Sequence, residues 1–131
     1  MTLEQLRKFC LSLPHTTENV QWGNDLLFKV GGKMYACAGL EPGLHWLSFK
    51  SSPEDFASLV ERQGVSPAKY LARAQWVSIE PQCALTPREI EQLVRKAHGL
   101  VFAKLPKKTQ LQLATNKAKT KSPRKKKKTA G

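Results

Sequence analysis

Acidic residues run out early in this chain: all ten Asp and Glu lie between Glu4 and Glu91, and nothing after them carries negative charge. Asp itself occurs only as Asp25 and Asp55. Cysteine is also scarce. Cys10, Cys37 and Cys83 are odd in number, widely spaced and free of any CxxC pair, which excludes a disulfide framework and a zinc ribbon and reads as reduced core thiols. His15, His45 and His98 show no HxxxH or HExxH spacing, so no metal site is expected. No apolar run approaches the roughly 20 residues of a membrane span. The opening MTLEQLRKFC lacks a basic-then-apolar leader, so a soluble cytoplasmic protein is expected, with nucleoid association as the variant of that reading. Gly31-Gly32-Lys33 lacks the Ser or Thr of a phosphate-binding loop and opens a strand rather than a helix. With no catalytic constellation, the chain reads as a non-enzyme without a cofactor. It also lacks a coiled-coil seam and is expected to be a monomer.

What the chain has in excess is base, and that excess is segregated. Residues 1–103 carry eleven Lys and Arg against ten acids, a net of +1; residues 104–131 carry eleven bases and no acid, a net of +11. A block of like charge repels itself and stays solvated until a polyanion neutralises it. Nucleic acid is the first candidate, DNA before RNA.

The body reads as one domain of residues 1–106, followed by a Lys-rich tail, residues 107–131, expected to be disordered. Thr2 and Gln5 form a capping-box pattern ahead of Leu3, Leu6, Phe9, Cys10 and Leu13 at helical spacing, and Pro14 stops that helix. From Glu18 to Phe49 the period becomes two. Leu26, Phe28 and Val30 alternate against Leu27 and Lys29, Gly31-Gly32 turns the chain, and Lys33 to Ala38 runs back. Glu41-Pro42-Gly43 makes a second turn into a strand from Leu44 to Phe49. Ser52-Pro53-Glu54-Asp55 starts a second helix that Gly64 stops. Ser66-Pro67-Ala68-Lys69-Tyr70 reads as a turn or a short helical piece, and Gln75 to Ile79 as a strand. Thr86-Pro87-Arg88-Glu89 caps a last helix with one apolar stripe, its outer Glu91 and Arg95 spaced for an ion pair. This order predicts an α+β two-layer sandwich, a mostly antiparallel sheet with helices on one face.

Trp22-Gly23, Leu27 to Ala36, Leu47-Ser48-Phe49-Lys50, Ser66 to Tyr70 leading to Trp76-Val77, and the last helix running into Lys104-Leu105-Pro106 together resemble the MmcQ/YjbR family of small bacterial proteins. The resemblance covers residues 1 to 106 and none of the tail. It implies a frataxin-like fold and DNA binding through hairpins that act as a double wing. Where family members often have an aromatic residue in the last helix, this chain has His98, which bears on packing. Frataxins hold iron on an acidic ridge. Here the first helix offers Glu4 beside Arg7 and Lys8, so iron binding does not follow from the fold.

The candidate nucleic-acid contacts are therefore of two kinds. In the domain they are Lys29 and Lys33 around the Gly-Gly turn, Lys50 at the end of the following strand, and Lys69 and Arg73 on the Ser-Pro turn. In the tail they are Lys117, Lys119, Lys121, Arg124, Lys125, Lys126, Lys127 and Lys128, whose Ser122-Pro123-Arg124-Lys125 resembles the Ser-Pro-basic-basic units of lysine-rich histone tails. Phosphate contact of this kind gives affinity without sequence specificity. Trp22, Trp46 and Trp76 offer rings on which unpaired bases can stack, but they sit in alternating strands beside other apolar residues, and core packing is the favoured reading. The alternative reading is a protein-interaction module whose basic tail binds RNA or ribosomes, or is incidental; the near-neutral body motivates it.

Overall fold

The computed structural model describes residues 2–21, 25–39, 46–68 and 74–120, with residues 21 and 115–120 described by their backbone alone. Helix α1 (Leu3–Ser12) begins at the anticipated capping box: Thr2 Oγ1 accepts from Gln5 N at 3.1 Å, and Gln5 Oε1 accepts from Thr2 N at 2.9 Å. Leu13 then turns extended ahead of Pro14, as a residue before proline must.

Six strands follow: β1 (Thr16–Gln21), β2 (Asp25–Val30), β3 (Lys33–Gly39), β4 (Leu47–Lys50), β5 (Val65–Pro67) and β6 (Trp76–Ile79). They form one antiparallel sheet in the order β1-β2-β3-β4-β6-β5. Helix α2 (Pro53–Leu59) lies between β4 and β5, capped by Ser52 Oγ accepting from Asp55 N. Helix α3 (Pro87–Lys104) repeats the capping box at Thr86 and Glu89. Both the two-layer α+β class and the antiparallel meander are as the sequence predicts.

Alternation decides the layers. Leu26, Phe28 and Val30 on β2, Leu47 and Phe49 on β4, and Val77 and Ile79 on β6 point to one side. There they meet Leu6 and Cys10 of α1, Leu59 of α2, and Ile90, Val94, Ala97 and Val101 of α3. Tyr35 joins this face because a bulge at Phe28/Lys29 shifts the register of β2 on β3. Its ring takes the edge of His98 at a centroid distance of 5.2 Å, and its hydroxyl shares a 2.9 Å hydrogen bond with Thr16. His98 also stacks on Phe102, so this histidine does pack among the aromatics.

Several local expectations change. The first strand starts at Thr16 and not Glu18. Ser66-Pro67 is neither turn nor helix: it ends the three-residue edge strand β5, a place where proline's missing N–H costs no ladder bond. Leu27, placed outward with Lys29, is 2% exposed, because β2 is flanked by a strand on each side and Leu27 lies level with Cys37 of β3. Arg95 does not reach Glu91; its guanidinium lies 5.3 Å over the Phe9 ring. Finally, a fourth helix, α4 (Lys107–Thr120), runs fourteen residues into the segment assigned to the unstructured tail. Gln110 ties it to the end of α3, its Nε2 donating to Leu105 O at 2.8 Å and its N–H to Pro106 O at 3.0 Å. Leu113 packs against the core cluster. The sequence hid this helix because two lysines sit at its positive end and no acid offsets them. The Trp22-Gly23 and Glu41-Pro42-Gly43 segments and the tail beyond Thr120 lie outside the described residues.

A lysine-lined pocket as the candidate nucleic-acid interface

The β2–β3 hairpin turns through Gly31 and Gly32, both at positive φ (+59° and +81°), where a side chain would be strained. Beyond this turn β3 pairs with β4 only from Ala36 to Ala38, against Phe49 to Leu47. Lys33 and Met34 therefore run past that ladder at one end, and Lys50 is the last residue of β4 at the same end. Trp76 lies opposite Lys50 on β6. The last turn of α3 reaches this opening with Val101 and Lys104, and Leu105-Pro106 closes it. The result is a pocket of about 270 Å³ with walls from β3, β4, β6 and α3.

Its lining divides cleanly. Met34, Trp76, Val101, Leu105 and Pro106 are apolar; among the described residues Lys33, Lys50 and Lys104 are its only charged members, and no acid lines it. Lys50 Nζ donates to Ala74 O at 2.9 Å, which fixes where that charge stands. Burial pushes the Lys50 ammonium below its ordinary value, and the like charge of Lys104 pushes it further the same way. Four of the body's acids, Glu4, Glu18, Asp55 and Glu89, pair with other bases. Among the described residues the ion pairs join Arg7 to Glu4 and Glu18, Arg62 to Glu89, and Lys96 to Asp55, leaving these three lysines without a carboxylate partner.

Of the five domain positions singled out by sequence, the fold thus brings Lys33 and Lys50 together. Lys29 is half-buried on β2, level with Met34 on β3, next to the pocket but not in its lining. Lys69 and Arg73 lie outside the described residues, as do Lys121, Arg124, Lys125, Lys126, Lys127 and Lys128. Lys117 and Lys119 belong to α4. Sequence reasoning missed Lys104. The signal was present: Lys104 follows Val101 by three positions, which sets it on the margin of the helix's buried stripe. Trp76, for which the sequence favours core packing over stacking on a base, is buried at 5% exposure and also lines the pocket. Trp46 is half-buried against the core, and Trp22 is outside the described residues.

Metal and membrane chemistry find no support in the described residues. They contain no group of three or more His, Cys, Asp or Glu placed to hold a metal ion, and no helix long and apolar enough to cross a membrane.

Sheet, helices and basic pocket together define a two-layer α+β domain with a cationic end. The chain belongs to the YjbR family, whose model matches residues 11–100. Among solved structures it is similar to protein DR2400 of Deinococcus radiodurans, a DUF419-domain protein, at a TM-score of 0.75 and 27% identity over 86% of this chain and 88% of that one. A protein from Pseudomonas syringae shares the fold at a TM-score of 0.63 and 20% identity, over 76% of this chain and 98% of that one. The chain is also 24% identical over 111 residues to the uncharacterized protein YbdF of Escherichia coli O157:H7, covering 82% of this chain and 89% of its relative.

Proposed function

We propose that this chain is a non-enzymatic DNA-binding protein that holds phosphates with the hairpin end of its domain and with its Lys-rich tail, and does not read sequence. One observation carries the reading: Lys33, Lys50 and Lys104 converge without an acidic partner at the place where the chain leaves the domain for the tail. Pro106 lines the pocket and Lys107 begins α4, so the cationic surface of the body and the +11 segment adjoin. These three lysines give a near-neutral domain a cluster of positive charge at one end, which is what a polyanion needs.

Each base that neutralises a phosphate on duplex DNA contributes about −0.9 to the slope of log affinity against log salt. The test keeps the chain at full length and replaces Lys121, Arg124 and Lys125 to Lys128 by Gln. Binding of a labelled duplex, measured over a salt series, should weaken and its slope should flatten by several units. Unchanged affinity and slope would remove the tail from the account.

The outer edge of β1 favours a second reading. Among the described residues this strand pairs only with β2, and it presents Val20 at 55% exposure, so a partner protein's strand could add to the sheet there. A protein partner that is lost on Val20→Lys, with no DNA binding by the full chain, would establish that reading instead.

A further inference from the structure

The pocket is more than a cationic patch, because most of its wall is apolar. Phosphates are held by charge and by hydrogen-bond donors, and the side chains of Met34, Val101 and Leu105 supply neither beside the lysines. Building on the DNA-binding reading, we infer that this pocket takes one unpaired nucleotide of a nucleic acid, its base against the apolar wall and its phosphate among Lys33, Lys50 and Lys104.

Three observations meet in this assignment. Among the described residues the lining is mixed, with apolar walls and three cations but no acid, so its occupant carries negative charge on an apolar body. A base with its phosphate has that composition, and bases pack on apolar and aromatic side chains whatever their identity. The size, about 270 Å³, falls just under the roughly 300–1,000 Å³ of sites that enclose a whole drug-sized ligand, so it admits one ring system and not a duplex. The position is at the root of α4, where Pro106 lines the pocket and Lys107 begins the helix. A paired base is stacked on its neighbours and does not reach such a recess, whereas an overhang, a frayed end or a single strand does. Lys50, fixed by its bond to Ala74 O, is the cation best placed to meet the phosphate at a constant position.

The test uses the full chain and three labelled DNAs: a blunt 20-base-pair duplex, the same duplex with a three-thymidine overhang, and the same duplex with a three-residue abasic overhang. The two overhangs carry equal charge and differ only in their bases. The thymidine overhang should bind about tenfold tighter than the abasic one. Met34→Trp, which fills the pocket from a half-buried strand position, should erase that difference. Equal affinity for the two overhangs, with blunt-duplex binding intact, overturns the nucleotide pocket and leaves phosphate binding standing. Failure of the chain to bind any of the three overturns both. Should Met34→Trp fail to fold, the comparison of the two overhangs on the unmodified chain still decides.

Discussion

Leu105 sits so close to Gly31 that a Cβ at Gly31 would come within 2.5 Å of Leu105 Cδ1. The residue that caps α3 thus rests on the turn of the β2–β3 hairpin, and this contact closes the lysine pocket. Gly31→Ala meets two costs, a left-handed backbone at φ +59° and a collision with the far end of a flexible side chain. Leu105 can swing away, so the loss should be mainly the backbone cost, about 1–2 kcal/mol. Gly64→Ala meets a harder neighbour, since its Cβ would lie 2.6 Å from Cys83 Cα, and main chain does not yield. We expect a loss of about 3 kcal/mol there, the left-handed cost plus overpacking. Urea unfolding midpoints should rank Gly64→Ala below Gly31→Ala; equal midpoints would show that the Cys83 segment gives way.

His98 joins α3 to the end of α1. Its Nε2 lies 2.7 Å from Pro14 O, and because a carbonyl only accepts, Nε2 carries the hydrogen. His98→Ala removes that donor and the partner of the Tyr35 and Phe102 rings, and should cost about 2–3 kcal/mol. His98→Phe keeps the ring contacts and loses only the donor, so its loss should be about 1 kcal/mol smaller. Denaturant melts of the two variants separate the contributions. A His98→Phe variant as unstable as His98→Ala would assign the whole effect to the hydrogen bond.

Burial also sets the response to alkali. It pushes the Cys10 thiol up to about 12 and the Cys37 thiol up to about 11, from an ordinary value of 9.0, and raises the Tyr35 phenol as well. The unfolded chain therefore releases these protons first. Stability is fully present below pH 9 and falls as pH rises from there through 11 and 12. Urea midpoints at pH 7, 9 and 10.5 should be similar at the first two and lower at the third. Replacing both cysteines by Ala should flatten the part of the fall that starts at pH 9. A chain equally stable at pH 9 and 10.5 would contradict this burial account.

Local chemistry was legible in the sequence wherever a few neighbouring residues decide the outcome. Thr2 with Gln5 and Thr86 with Glu89 announce two helix starts, Ser52-Pro53 a third, and Gly31-Gly32 between alternating runs announces the hairpin. Elements that depend on partners were not. Strand β5 is three residues ending in proline and exists through its pairing with β6. Helix α4 has a poor intrinsic start and depends on Gln110 reaching back to Leu105 and on Leu113 finding the core. The same division holds for the site. Lys33 and Lys50 were visible as bases at strand ends, but their meeting follows from the short β3–β4 register, a long-range fact. Lys104 enters because the end of α3 reaches across that opening, and Trp76 because β6 pairs with β4 opposite Lys50.

The central claim is that the unpaired lysines at this end hold nucleic-acid phosphates. Its most direct test is binding of a blunt 20-base-pair duplex, over a salt series, by the full chain and by a variant with Lys33, Lys50 and Lys104 all changed to Gln. Every lysine withdrawn from a phosphate should flatten the slope of log affinity against log salt by about 0.9, so the variant should bind more weakly, with a slope shallower by as much as about 2.7. Identical affinity and slope in the two proteins would contradict the account and leave the pocket without a role in DNA binding.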